Sequence, residues 1–465
     1  MAQALYSELR DKRVLVAGAG VTGVACAHAL NRKGAHVTLV DESVTEVEAF
    51  TVLTPAGVTI GDYDALLISP GWREEHPLIH RARDAGLSLI NEIDLAWSLK
   101  DPAQKWIALT GTNGKTSTVE LSAQMLRSGG LRAVACGNVG TTVVETVESS
   151  EKYDYLVLEL SSFQLHWMED PSFVAVAILN IAEDHVDWHG SFDAYAKDKI
   201  SILDKSTTAI LNGDDGEIVS RTSAWQGRKV FFSLDTPAPG QIGIVEELLI
   251  DRAFVADPQE AAMISELNEI KPTVPHNVSN ALAAAGLART VGVSHEAIRA
   301  AIAAFTPGKH RIAKVLEKDG VNWINDSKAT NPHAAVASVM SALSVIWVAG
   351  GLAKGATMGE LVERVKGRVK AAVLIGADQE LIAQEIRQRA PHIEIISITT
   401  PADYVKGGAS NSLMEEVVRA ARARATLGDT VLLAPACASM DQFISYSDRG
   451  DRFSAAVEKV VRDGK

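Results

Sequence analysis

Trp106-Ile107-Ala108-Leu109-Thr110-Gly111-Thr112-Asn113-Gly114-Lys115-Thr116 runs from a short apolar stretch through a glycine turn into the helically spaced segment Val119 to Leu126. A strand, a small-residue turn and a helix in that order decide the fold class. Gly111 and Gly114 let backbone N–H groups turn inward around phosphate oxygens, and the helix N-terminus adds partial positive charge. Lys115 brings a full charge to the terminal phosphates, and the Thr116 hydroxyl suits a Mg²⁺ shell. The turn is shorter than the usual G-x-x-x-x-G-K-[ST] pattern, whose first glycine would fall at Leu109. Gly111, Thr112, Asn113, Gly114, Lys115 and Thr116 are the expected ATP-binding residues.

Working downstream, Leu156 to Leu158 and Val174 to Leu179 are short apolar runs, as strands buried on both faces require. Glu159 ends the first, and Asp184-His185 follow the second. Strand ends on one edge of a parallel sheet meet where ligands bind. Glu159 and His185 are therefore expected, with Thr116, at an ATP-bound Mg²⁺, which takes carboxylate, water and phosphate oxygens. Thr236 to Gly243 holds two prolines and two glycines and reads as a loop.

Upstream, the strand Val14-Leu15-Val16 leads into Gly18-Ala19-Gly20-Val21-Thr22-Gly23, and the next strand, His36 to Val40, ends at Asp41. This is a dinucleotide-type fingerprint, and any pyrophosphate suits such a turn. A further strand, Ala65 to Ile68, runs into Ser69-Pro70-Gly71. Beyond Lys309 a third set of strands appears at Val345 to Val348, Val373 to Ile375, Ile393 to Ile398 and Val431 to Leu433. Three polar segments sit at positions where strands end or helices begin: Asn325 to Pro332, Lys354 after Gly350-Gly351, and Ala438 to Phe443. The predicted architecture is α/β in three domains. Residues 1–101 are N-terminal and Rossmann-like, 102–308 form a central P-loop ATPase with a mainly parallel sheet, and 309–465 are C-terminal and Rossmann-like.

The 465 residues carry a net charge of −13 and a pI near 5.5, which argues against nucleic acid and anionic membrane as general partners. Cys26, Cys136 and Cys437 have no metal-ligand or redox spacing and read as free thiols of a reducing compartment. Val14 to Leu30 imitates a signal peptide, but glycines interrupt its apolar stretch. The uncharged Ala334 to Ala353 imitates a membrane span, but its serines, Gly350-Gly351 and late β-branched cluster fit a helix followed by a buried strand. No membrane insertion is expected, and the location is read as cytoplasmic.

The ordered set GAGVTG (18–23), SPG (69–71), GTNGKT (111–116), LELSSFQL (158–165), EDH (183–185), HNVSN (276–280), HR (310–311), NDSKATN (325–331), AGGLAKG (349–355) and ACASMDQF (436–443) resembles the Mur ligases of peptidoglycan synthesis across almost the whole chain. NDSKATN and SMDQF resemble most the members that add D-glutamate to UDP-N-acetylmuramoyl-L-alanine. The resemblance implies that Val21, Thr22, Asp41 and Gly71 hold the UDP, and that Asn138, Gln164 and His185 reach the muramoyl-alanine arm. It implies ATP and two Mg²⁺ ions at Lys115, Thr116, Glu159 and His185, with Asn277, Asn280, Arg311 and Asp326 around the nucleotide. Lys328, Thr330, Lys354, Ser439 and the backbone near Tyr446 would hold D-glutamate. Lys199 matches the lysine that the family carries as a carbamate on the second Mg²⁺, with Lys197 a competitor. Lys115, His185 and Lys199 are thus the expected catalytic groups, in a monomer. Relatives often place a basic residue after the acid at position 41, whereas here Glu42-Ser43 follow.

The implied reaction is ATP-driven amide ligation through an acyl phosphate and a tetrahedral intermediate. Three rival readings remain at this point: another Mur-type or folylpolyglutamate-type amide ligase, a nicotinamide dehydrogenase, and a nucleotide-gated binding protein without ligase activity.

Overall fold

A computed structural model describes residues 9–257, 259–401 and 404–464. Its strands form three sheets. The first contains β1 (Arg13–Ala17), β2 (His36–Val40), β3 (Thr51–Leu53), β4 (Ala65–Ile68) and β5 (Ser88–Asn91), all parallel, in the order β3-β2-β1-β4-β5. Val14, Leu15, Val16, Leu66 and Leu67 are buried, as the apolar runs require. The helix Val21–Arg32 packs tightly on the glycine turn before it. A Cβ on Gly23 would lie 1.8 Å from the Gly18 carbonyl oxygen, so only glycine fits.

The second sheet contains β6 (Lys105–Thr110), β7 (Ala133–Gly137), β8 (Tyr155–Glu159), β9 (Val176–Ile178), β10 (Thr208–Asn212), β11 (Arg228–Phe232), β12 (Ile242–Val245), β13 (Leu248–Asp251) and β14 (Ala262–Glu266). Its order is β14-β13-β12-β11-β10-β9-β6-β8-β7, and β6 lies between two parallel neighbours. The antiparallel β12, β13 and β14 close one end. The expected loop Thr236 to Gly243 therefore stops early: Ile242 is buried and pairs with Phe232 and Asp251, and that pairing overrides its glycine-rich flanks.

The third sheet contains β15 (Ala313–Lys318), β16 (Val321–Asn325), β17 (Val345–Gly350), β18 (Val369–Ile375), β19 (Glu394–Ser397) and β20 (Thr430–Leu433), ordered β15-β16-β20-β17-β18-β19. Only the β15–β16 hairpin is antiparallel. The uncharged stretch around position 340 is the helix Pro332–Met340 followed by fully buried β17. Among the described residues no helix is long and apolar enough to cross a membrane.

The chain divides into two compact units. Met1–Ile181, Asp193–Ile270 and Val278–Phe305 form one, with the first two sheets. Ala182–Phe192, Lys271–Asn277 and Thr306–Lys465 form the other, with the third. Inside the first unit, buried acids join the two sheets. Asn91 caps the helix Glu92–Leu99 by accepting from the Ile93 and Asp94 N–H groups at 2.9 and 3.1 Å, and its amide donates to the Trp167 carbonyl at 2.6 Å. Glu92 accepts from the Val143 and Val144 N–H groups at 2.7 and 3.3 Å, and Asp94 from those of Glu169 and Asp170 at 3.1 and 2.9 Å. Burial raises both acids, Glu92 to about 7 and Asp94 to about 6.

Candidate active site

The glycine turn after β6 is held from outside. Asn180, just past β9, accepts the Thr112 N–H on its carbonyl at 2.9 Å and the Asn113 N–H on its side-chain oxygen at 2.7 Å. Its amide donates back to the Asn113 carbonyl at 3.1 Å. Gly114 has φ +82, and a Cβ there would stand 2.3 Å from Asn280 Oδ1. Both facts require glycine. Thr112 Oγ1 lies 2.8 Å from the Tyr195 hydroxyl.

Two lysines converge on this turn. Lys115 Nζ donates to the carbonyls of Gly111 and Thr112, both at 2.8 Å. Lys199 is 1% exposed, and its Nζ donates to the same Gly111 carbonyl at 2.8 Å and to Thr110 Oγ1 at 3.4 Å. The Tyr195 ring lies beneath it, 4.7 Å away. The two ammonium groups share one acceptor, so they are no further apart than twice that bond. Like charges this close favour an anion beside them.

Glu159 completes this cluster. It ends β8 opposite Leu109 of β6 and is 2% exposed. Its Oε1 accepts from the Asn138 amide at 2.9 Å, while Oε2 is buried without a hydrogen-bond partner. A buried acceptor left over beside this glycine turn fits a Mg²⁺ ion, with the Thr116 hydroxyl as a further candidate ligand. Among the described residues no group of three or more His, Cys, Asp or Glu side chains could cage a metal.

In the first sheet, Val21 opens its helix 77% exposed, beside Thr22 and facing no core. Asp41 organises the glycine turn: it accepts from the Ala19 N–H at 2.8 Å and from those of Ser43 and Val44 at 2.8 and 2.9 Å. Burial alone would raise its pKa, but these N–H groups win and lower it. Glu42 faces His76 at 3.2 Å. Gly71 is exposed in the turn after β4. Gln164 is 5% exposed, and its side chain caps the helix Ser162–Trp167 through the Ser161 N–H at 2.9 Å.

In the second unit, His185 takes a left-handed φ of +51 at the head of the helix Val186–His189. The Asn331 amide donates to Asp184 at 3.3 Å while its oxygen caps the helix Pro332–Met340. A small open cleft there is lined by Glu183, Asp184, His185, Thr330, Asn331 and Lys354, among others. Three expected site residues, His185, Thr330 and Lys354, thus share one cavity. Lys328 Nζ sits 4.0 Å over the Tyr446 ring, and Ser439 is buried, its carbonyl accepting from the Phe443 N–H at 2.8 Å.

Other expected nucleotide residues of this unit are engaged internally. Asp326 accepts from the Ser338 hydroxyl and from the Ile312 N–H at 3.2 Å, and burial raises its carboxyl to about 6. The Asn277 amide donates to the Pro272 carbonyl at 3.0 Å. Arg311 is half-buried. Sequence reasoning missed Asn180, Tyr195 as a support and the Glu92–Asp94 joint. Asn180 was findable, because it is a polar residue directly after the apolar run Val174 to Leu179.

Comparisons with known proteins fit this geometry. Residues 109–288 match the Mur ligase middle domain, and residues 310–437 match the glutamate ligase domain of Mur ligases. A UDP-N-acetylmuramoylalanine–D-glutamate ligase of Streptomyces coelicolor is 45% identical over 98% of this chain and 99% of its own. One of Thermobifida fusca is 44% identical over 98% and 100%. The solved pseudomurein peptide ligase type C of Methanothermus fervidus shares the fold at a TM-score of 0.60 and 18% identity, over 97% of this chain and 100% of that one.

Proposed function

The chain belongs to the Mur ligase family, and on that premise we propose that it joins D-glutamate to UDP-N-acetylmuramoyl-L-alanine with ATP, releasing ADP and phosphate, in peptidoglycan precursor synthesis. The observation that carries the chemistry is the meeting of Lys115 and Lys199 on the Gly111 carbonyl, in a sheet that also places the unpaired Glu159 Oε2 one strand away. A carboxylate does not acylate an amine at neutral pH, because its leaving group is poor. Transfer of the γ-phosphoryl of ATP to the alanyl carboxylate supplies a good one, and the amine then expels phosphate from a tetrahedral intermediate. Phosphoryl transfer is helped chiefly by positioning and by positive charge around spread negative charge. Lys115 and the N–H groups of the turn serve that role.

Bound Mg²⁺, two ions in this reading, would neutralise phosphate charge, with Thr116 and Glu159 as protein ligands and His185 and a modified Lys199 as further ones. Carbamylation of Lys199 would replace a cation beside Lys115 by an anion, which removes the repulsion between them. Asn280, Asn277, Arg311 and Asp326 are the proposed nucleotide neighbours. Val21, Thr22, Asp41 and Gly71 would hold the UDP, and Asn138, Gln164 and His185 the muramoyl-alanine arm. Lys328, Thr330, Lys354, Ser439 and Tyr446 would take the amino acid, and His185 or a water the proton that its amine loses. Residues 1–101, 102–308 and 309–465 then act as UDP-substrate, ATP and amino-acid domains. Three buried free cysteines suit a reducing cytoplasm, and a monomer is the proposed state.

A phosphate-release assay across UDP-muramoyl acceptors and amino acids tests this. Release should need ATP, UDP-N-acetylmuramoyl-L-alanine and D-glutamate together. Release without an amine acceptor would point to a nucleotide-driven switch, and preference for another amino acid would overturn the substrate.

A further inference from the structure

Arg449 is a long charged side chain with 0% exposure, on the helix Tyr446–Val457. Its Nε donates to Ser327 Oγ at 3.0 Å, one terminal nitrogen donates to the Ser327 carbonyl at 3.0 Å, and the other to the Cys437 carbonyl at 3.1 Å while approaching that of Gly350 at 3.5 Å. All its acceptors are neutral. Among the described residues no carboxylate is a hydrogen-bond or ion-pair partner of this guanidinium. The acid whose field reaches it, Asp441, is bonded instead to the Ala377 N–H at 2.8 Å. Burial lowers Arg449 to about 10, so it stays charged at neutral pH.

A buried cation with no carboxylate bonded to it is costly and is rarely kept unless something compensates it. The three acceptors show what it organises. Ser327 precedes Lys328 and Thr330, Gly350 precedes Lys354, and Cys437 precedes Ser439. Each segment leaves the C-terminal end of a neighbouring strand, β16, β17 or β20. Ser327 Oγ also donates to the Tyr446 carbonyl at 2.7 Å, so the start of the helix that bears Arg449 is tied in as well. Gly350 and Gly351 adopt φ values of +114 and +135, so this turn has an unusual backbone that needs support from its neighbours.

We propose that Arg449 is the positioning residue of the amino-acid site: its planar fork locks the three strand-end segments into one register, and its positive charge, bonded to no carboxylate, favours an amino acid with an acidic side chain. The inference rests on the ligase reading above and deepens it. Arg449 does not touch the ligand. It acts through the peptide groups it holds and through a field that the ligand's second carboxylate answers. Lysine offers a point charge without the fork and would keep the field but not the register.

The experiment compares the parent with Arg449→Lys, Arg449→Met and Ser327→Ala, using phosphate release for KM and kcat and thermal shift for folding and binding. Arg449→Lys is expected to raise the KM for D-glutamate about tenfold and leave those for ATP and the UDP substrate within about twofold. It should keep the parent's preference for D-glutamate over D-glutamine. Arg449→Met should lose most of that preference, and Ser327→Ala should raise the D-glutamate KM in the same direction as Arg449→Lys by a smaller factor. An unchanged D-glutamate KM in Arg449→Lys, or an equal rise in all three KM values, overturns the proposal. If Arg449→Met does not fold, the other two variants decide on the same criterion. Failure of the parent itself to use D-glutamate would instead overturn the ligase reading.

Discussion

Asn180 and Asn113 grip each other reciprocally: the backbone N–H of Asn113 donates to the Asn180 side chain at 2.7 Å, and the Asn180 amide donates to the Asn113 carbonyl at 3.1 Å. A side chain just past β9 therefore fixes the two peptide groups that flank Asn113 at the centre of the glycine turn. Asn180→Ala removes both bonds and leaves two backbone groups to find other partners, each loss worth about 1 kcal/mol. The expected result is an ATP KM raised on the order of tenfold, with the affinity for the UDP substrate unchanged. Steady-state kinetics and titration with a fluorescent ATP analogue check it, and normal ATP affinity would show that the turn holds its shape unaided.

Gly114 and Asn280 make a second constraint on the same turn. Gly114→Ala faces two penalties, the left-handed φ of +82, about 1 kcal/mol, and a Cβ 2.3 Å from Asn280 Oδ1. The double variant with Asn280→Ala removes the contact and keeps the backbone penalty. Urea unfolding of the four proteins in the cycle should show the double variant more stable than the sum of the single effects predicts. Strict additivity would mean that the side chain at 280 moves aside without cost.

Lys199 lies beside Lys115 on one carbonyl, and its conversion to a carbamate should be visible in solution. Activity of the parent should fall on removal of bicarbonate and dissolved CO₂ and return when bicarbonate is restored. Lys199→Ala should be inactive at any bicarbonate concentration but partly rescued by short-chain carboxylic acids, which can occupy the vacated space. Full activity of Lys199→Ala would remove the lysine from the reaction, and the same result for Lys197→Ala is expected because Lys197 lies on the exposed face of its helix.

The glycine turns, the strands around them and the polar segments at strand ends were legible because each depends on local chemistry: small residues, β-branched runs and a lysine placed by one helix start. The hairpin formed by β12 and β13 was not, because Ile242 joins a sheet through Phe232 and Asp251, partners that no local pattern names. Asp326 was legible within a polar segment between a strand and a helix, and Gln164 only through the family resemblance. Their internal bonds to Ser161 and Ser338 depend on how the chain folds back. Arg449 was invisible for the same reason, since its acceptors are the Ser327 hydroxyl and the carbonyls of Ser327, Cys437 and Gly350, which only the folded sheet brings together.

Glu92 ties the first sheet to the second through the Val143 and Val144 N–H groups, and it should make stability depend on pH in an unusual direction. Burial raises its folded-state value from 4.5 to about 7, so folding favours the neutral carboxyl. Below the unfolded value both states are protonated and there is no penalty. Between the two values the folded chain keeps a proton that the unfolded chain has lost, so stability falls as pH rises. Above about 7 the penalty is complete, and at about 1.4 kcal/mol per pH unit it amounts to roughly 3 kcal/mol. The groups whose charge bears on this acid or its neighbour Cys26 are Glu145 and Glu148 of the opposing helix, and Arg32 is paired with Glu148. Cys26 and Cys136 are both held neutral by burial. Glu92→Gln keeps an oxygen to accept the two N–H bonds and never ionises. It should match the parent near pH 4, below the unfolded value, and exceed it increasingly up to about pH 8, by roughly 3 kcal/mol at most, as read by urea unfolding of the protein. A stability difference that does not grow with pH would mean that Glu92 is charged in the folded protein.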